Sequence, residues 1–406
     1  MSNEALPQLS KIVREIPPSG IRKFFDVAAQ MPNAISLGVG EPDFVTPWSI
    51  CEAAYLSLKA GKTSYTSTYG LIELRKAISG HLHDLYGVSY RPDDEVLVTV
   101  GVSEGMDLAM RAILDPGDEV IVPEPCYVSY RACVLLAGGV PVGLRTQASD
   151  GFRISVPQLE ALVTPRTKAI LLGYPSNPTG ATMPKEALQE IVDFAKLRNL
   201  YLISDEIYDR LNYEGPHTCV ASLKGARERT ILLNGFSKAY AMTGWRIGYA
   251  CAPEPILSAM NKIHNYTMLC APITGQIAAL EALKSGEPYV QSMVAEYNRR
   301  RRLIVAGLNN IGLTCHVPQG AFYAFPSIVK TGLKAEEFAE RLLFEEEVAV
   351  VPGTAFGSGG EGHIRCSYAT SLEKIQTALD RIKRFVDKVS PSVHEPEESA
   401  VVQARR

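Results

Sequence analysis

The chain of 406 residues is 46% hydrophobic and 21% charged, the balance of an ordinary globular protein. At about 150 residues per domain this length predicts two or three domains. Its 41 basic and 44 acidic side chains leave a net charge of −3, so no global field draws it to nucleic acid or an anionic membrane, and a disordered chain is excluded.

The N-terminus, MSNEALPQLSKIVREIPPSG, carries acid, amide and proline where a secretory leader needs an apolar run. No apolar stretch approaches the ~20 residues of a membrane span, so a cytoplasmic protein is expected. The eight cysteines form no CxxC pair, and most are expected to be buried thiols without disulfides. His81 and His83 lie two apart and would face different sides of a helix, so no metal is expected.

β-Branched runs predict strands at 95–100, 119–122, 168–172, 200–204, 230–233 and 247–250, with helical patterns between them, as at 104–114 and 185–198. Such alternation predicts a mostly parallel sheet with helices on both faces, and continuous apolar runs such as AILLG and LYLIS fit strands buried on both sides. From about residue 299 the character changes. A basic amphipathic helix at 297–308 precedes the aromatic segment GAFYAF, a helix at 335–346, a loop at 352–362, a strand at 363–368 and a helix ending near 389. The expected organisation is a large domain at 46–295, a smaller α+β domain from 1–45 and 296–390, and a loose polar tail at 391–406. The run Arg299–Arg302 reads as one solvated helix face rather than a nucleic-acid patch. GSGGEG at 357–362 reads as a plain loop, because it neither follows a strand nor opens an apolar helix.

Four segments carry chemistry. TVGVSEGMD at 99–107 is a strand, a glycine and a helix beginning at Ser103, whose free N–H groups suit a phosphate; the plain alternative is an ordinary capped helix. In GYPSNPTG, directly after a strand, Asn177 can offer its amide to a cofactor or substrate, or serve the turn alone. LYLISDEIY delivers Asp205 to a strand's carboxyl end, where it can pair with a protonated pyridine nitrogen or cap a helix. Tyr208 would follow one helical turn later, able to donate to a ring oxygen. NGFSKAYAMTGWRIG places Lys238 just past a strand, between Ser237 and Arg246. Lys238 can form a Schiff base with an aldehyde cofactor whose phosphate Ser237 and Arg246 bind, although a loop lysine by itself is usually solvated.

YPSNPTG, SDEIY and SKAYAMTGWRIGY, in that order and flanked by ISLGVGEPDF at 35–44 and HIRCSY at 363–368, resemble the fold-type I pyridoxal 5′-phosphate (PLP) enzymes, specifically the class I/II aminotransferase family. The resemblance covers nearly the whole chain. It implies an α/β fold: a large domain with a mostly parallel seven-stranded sheet flanked by helices, and a smaller α+β domain. It also implies site roles. Lys238 matches the lysine that holds PLP and shuttles the proton, Asp205 the partner of the pyridine nitrogen, and Tyr208 and Asn177 the hydrogen-bonding partners of the 3′-oxygen. Tyr127, in PEPCYVSY, sits where the family stacks an aromatic ring on the cofactor. Ser103, Glu104 through its backbone, Ser237 and Arg246 match the phosphate binders. Tyr65, in KTSYTSTYG, matches a tyrosine reaching the neighbouring subunit's phosphate, implying a homodimer with shared sites. Gly40 and Arg365 match the binders of the substrate carboxylate, and a planar guanidinium suits that task.

The implied activity is ping-pong transfer of an amino group from an aromatic or dicarboxylic L-amino acid, or a broad set of them, to a 2-oxo acid such as 2-oxoglutarate. Some relatives carry a lysine at the phosphate-binding helix start, whereas this chain has Ser103-Glu104, which weakens a strict dicarboxylate specificity. Arg22, in SGIRKFF, is a candidate for binding a distal carboxylate, and Phe24 and Phe25 beside it equally suit an apolar pocket. The alternative is a PLP-dependent carbon–sulfur β-lyase. A remoter one is a non-catalytic PLP-binding regulator, which would need a fused DNA-binding domain that the residues before Ile35 do not accommodate.

Overall fold

The computed structural model describes residues 7–17, 20, 27 and 30–390. Arg22, Phe24, Phe25 and the tail at 391–406 lie outside the described residues.

The central sheet has seven strands: β2 (Val96–Thr99), β3 (Glu119–Glu124), β4 (Val140–Arg145), β5 (Thr167–Gly173), β6 (Tyr201–Asp205), β7 (Thr230–Gly235) and β8 (Gly248–Cys251). Their spatial order is β2-β8-β7-β6-β5-β3-β4, and β8 alone runs against the others. The mostly parallel α/β fold is as expected, and six of the strands match the β-branched runs. The seventh, β4, was not among them. Its sequence VPVGLR mixes proline and glycine into an edge position with only Leu144 buried, so it shows no strand pattern.

The burial of the inner strands follows from their side-chain alternation. Ile170 and Leu172 of β5 enter one core, while Ala169 and Leu171 enter the core on the other face. Each such leucine or isoleucine contributes about 1.5–3 kcal/mol when fully buried, which holds the strand ends, and whatever follows them, in fixed register.

A further hydrophobic core joins both ends of the described chain. Leu37 packs with Ile304, Phe322, Phe338, Val348, Ile364 and Phe385. Here β1 (Ile35–Ser36) pairs with β10 (Val348–Ala349), and β12 (Ile364–Ser367) lies between β11 (Val351–Pro352) and β9 (Tyr323–Ala324). The helix expected at 297–308 is the second half of a longer one, Glu287–Asn310. Its arginine run is not one solvated face. At about 100° per residue four successive side chains circle the helix, so Arg300 and Arg301 are buried while Arg299 and Arg302 are exposed. Arg300 grips both carboxylate oxygens of Asp43, at 2.8 and 2.9 Å, and Phe44 packs edge-on against Tyr297. These contacts anchor the GEPDF loop that carries Gly40.

All eight cysteines are free thiols, and no described helix is long and apolar enough to cross a membrane.

Candidate active site

The carboxyl ends of β2, β3, β5, β6 and β7, and the amino end of β8, meet around one cavity of about 1220 Å³. This is the edge at which open α/β sheets take ligands. Gly40, Ser103, Tyr127, Asn177, Asp205, Tyr208, Ser237, Lys238, Arg246 and Arg365 all line it. Tyr65 does not line the cavity of its own chain, and it is 82% exposed.

Lys238 follows β7 by three residues, in a turn tied down where Thr46 donates to the Ala241 carbonyl and Trp245 donates to Thr46. Its ammonium donates to the Gly40 carbonyl at 2.5 Å and lies near the faces of Tyr208 and Phe322. Burial pulls its pKa down to about 8, against the attraction of Glu41; the positive charges of Arg365 and Arg246 lower it further. A lysine with a depressed pKa is a nucleophile near neutral pH. Because the folded value lies below the ordinary 10.5, the neutral amine is gained as pH rises through about 8. The rate at which Lys238 condenses with pyridoxal should therefore climb from pH 6 and level off above about 8, read from the imine absorbance with Lys238→Ala as control. A rate still climbing steeply at pH 10 would contradict this environment.

Asp205 ends β6 with its carboxylate buried. Tyr130 donates to Oδ2 at 2.8 Å, and the Ile207 N–H donates to Oδ1 at 3.2 Å. Burial raises its pKa to about 6, against the lowering effect of these two donors, so the carboxylate is mainly ionised at neutral pH. The next residues form turns, not a helix, so Asp205 is no helix cap and Tyr208 is reached through a turn. The Tyr208 hydroxyl shares a 2.7 Å hydrogen bond with Tyr323, and burial holds its pKa well above the usual value, leaving it a hydrogen-bond donor.

One end of the cavity is built for an anion. The helix expected to begin at Ser103 begins at Gly101 and runs to Ile113. The earlier start depends on glycine: Gly101 has φ +74°, and a Cβ there would come within 2.5 Å of Arg246 Nη2. Arg246 is itself left-handed, at φ +56°, which aims its guanidinium at the helix start. Nη1 donates to the Thr243 carbonyl, and among the described residues no carboxylate pairs with Arg246. An unpaired guanidinium beside free helix N–H groups is a phosphate-binding arrangement. The Glu104 carboxylate turns inward, accepting from the Val100 N–H and bonding the buried His264 at 2.7 Å, so only its backbone is available to a ligand.

The other end of the cavity suits a carboxylate. Arg365 on β12 is 1% exposed, and burial lowers its pKa. Nη1 donates to Asn177 Oδ1 at 2.9 Å and Nη2 to the Gly38 carbonyl at 2.5 Å, while Nε is buried without a partner. The guanidinium lies over the Tyr323 ring, 4.5 Å from its centre. With Oδ1 engaged by Arg365, Asn177 has its NH₂ left for the cavity.

Tyr130 and Tyr323 are among the polar cavity residues that motif reading misses, as are Glu41, Ser129 and Thr243. Tyr130 lies three residues after Tyr127, at the start of the helix Ser129–Leu136, and that spacing was its available signal. Tyr323 sits opposite Ser367 in the β9–β12 ladder, diagonal to Arg365, a relation that exists only once the strands are paired.

Comparison with known proteins identifies the family. A family model described as aminotransferase class I and II matches residues 32–382. The chain belongs to that family. The class I and II aminotransferases are PLP enzymes acting on amino acids and 2-oxo acids, and this member is likewise an aminotransferase. It is 56% identical, over 94% of its length and 99% of the relative's, to the Bacillus subtilis protein named "Putative aminotransferase YugH". It is 46% identical to an aspartate aminotransferase of Pyrococcus abyssi, over 91% of this chain and 96% of the other. Among solved structures, an aromatic aminotransferase from Pyrococcus horikoshii superposes with a TM-score of 0.86 at 44% identity, covering 90% of this aminotransferase and 99% of that chain.

Proposed function

We propose that this aminotransferase uses PLP to move the amino group of an aromatic or dicarboxylic L-amino acid to a 2-oxo acid such as 2-oxoglutarate, by a ping-pong mechanism in one site. The observation that carries the reading is the convergence of a buried, easily deprotonated Lys238 and an ionised Asp205 between an anion-binding end and a carboxylate-binding end. The residues fit the cofactor: Arg246 is a cation without a carboxylate partner among the described residues, and Lys238 an amine whose pKa is lowered toward neutrality.

When bound, PLP supplies an aldehyde that takes up an amine and a ring that withdraws electrons from the substrate Cα. In this reading Arg246, Ser237, Ser103 and the Glu104 backbone hold the phosphate. Tyr127 would stack on the ring, Asp205 would keep its nitrogen protonated, and Tyr208 and Asn177 would donate to its oxygen. Arg365 grips the substrate carboxylate with two parallel hydrogen bonds beside Gly40, which fixes the bonds around Cα. Lys238 Nζ, in the neutral form that its lowered pKa makes accessible, would remove the Cα proton. Tyr65 serves the neighbouring subunit of a homodimer; its exposure supports that reading. Arg22 would reach a distal carboxylate. A two-domain division at 46–295 against 1–45 with 296–390 is supported by the core that joins Leu37 to Phe385.

Both aspartate and aromatic aminotransferases stand among the similar proteins, which supports the two donor classes. The test is a panel of amino donors with 2-oxoglutarate. An effective donor should bleach the yellow colour of the purified protein, and an oxo acid should restore it. Colour unchanged by every donor would sink the reading, while pyruvate and ammonia released without an acceptor would point to the lyase.

A further inference from the structure

Tyr130 OH donates to Asp205 Oδ2 at 2.8 Å, the one side-chain hydrogen bond this carboxylate receives among the described residues. It reaches Asp205 from the helix Ser129–Leu136 across the end of β5, through a gap left by a glycine. Gly173 is the register partner of Asp205 in the β5–β6 ladder, and a Cβ on Gly173 would stand 2.6 Å from the Tyr130 hydroxyl. The Tyr130 ring is 7% exposed and packs edge-on against Tyr127, so hydroxyl and ring are both held.

We infer that Tyr130, admitted by Gly173, is the positioning residue that orients Asp205 and keeps it ionised for the pyridine nitrogen of PLP. The inference rests on the PLP reading above. A buried carboxylate is drawn toward its protonated form, and a protonated Asp205 could not hold a cationic ring. Of the groups around it, Tyr130 and the Ile207 N–H favour the carboxylate by hydrogen bonding and Lys238 by its charge, Glu206 opposes it, and Tyr208 stays neutral. Tyr130 is the strongest of the favourable ones, with Asp205 at about 6 in its presence. Its own pKa is raised by burial, then by Asp205, so it remains the donor. Removing it moves the Asp205 titration upward, into the neutral range.

The test is PLP affinity of the full-length chain, stripped of cofactor and titrated from pH 5.5 to 8.5, for wild type and Tyr130→Phe. The phosphate and lysine titrations are common to both proteins and cancel in the ratio. At pH 8.5 the two affinities should agree within about threefold. At pH 5.5 Tyr130→Phe should bind about eightfold more weakly, the deficit shrinking to about threefold near pH 6.5, because its acid limb is displaced upward by about one pH unit, as expected for losing a hydrogen bond to a charged group. Gly173→Ala keeps the hydroxyl but closes its gap, and should shift the limb the same way. A constant ratio at every pH would show a packing role only and overturn the inference. If Gly173→Ala fails to fold, Tyr130→Phe decides alone. Failure of the wild type to bind PLP at any pH would instead defeat the PLP reading.

Discussion

Lys238→Ala should lower turnover by about 10⁴-fold or more, the upper range for loss of a general base, with loss of a nucleophile added. It should also abolish the yellow colour produced by covalent attachment. The effect is large because, among the described residues, no other amine lines the cavity. Lys238 is the lysine lining the cavity, and its neighbours Tyr208 and Tyr323 are phenols held neutral by burial. The fold should survive, since the side chain makes one hydrogen bond, to the Gly40 carbonyl, and no ion pair among the described residues. Steady-state kinetics and far-UV circular dichroism check both halves. Retained turnover would show that the central lysine has been misassigned.

Arg365→Lys should cost roughly 10²–10³ in kcat/KM, chiefly through KM, while PLP affinity and colour stay near those of the wild type. Charge is preserved, so what is lost is the planar fork. A lysine cannot satisfy Asn177 and the Gly38 carbonyl and still offer two parallel donors to a carboxylate. Arg365→Leu removes the charge as well. Because the Arg365 charge is one of the effects lowering the Lys238 pKa, that variant should also move the lysine titration above its value of about 8. An unchanged KM in Arg365→Lys would place the substrate carboxylate elsewhere.

Much of the cavity was legible in the chain because its residues sit at strand ends. An apolar run followed by a polar break marks the carboxyl edge of a parallel sheet, and Asp205 and Lys238 both stand just there. The helix start was misplaced by two residues because a glycine reads locally as a break, while the reason it can open this helix is the approach of Arg246. The arginine run looked solvated because composition carries no partner: Asp43, which Arg300 holds, lies 257 positions away. Strand β4 escaped notice because edge strands tolerate proline, glycine and polar side chains that inner strands refuse.

By itself the sequence determined the chemistry: an amine, a carboxylate and two guanidiniums, in motifs whose order resembles one enzyme family, on strands that alternate with helices. Local periodicity and side-chain type suffice for that. The tertiary structure alone decided which groups meet. Strand order brings Arg365 against Asn177 across 188 positions, and the β5–β6 register opens Gly173 beside Asp205 so that Tyr130 can reach it from 75 positions away. Those pairings depend on how strands cross over and stack, which no short window of residues contains.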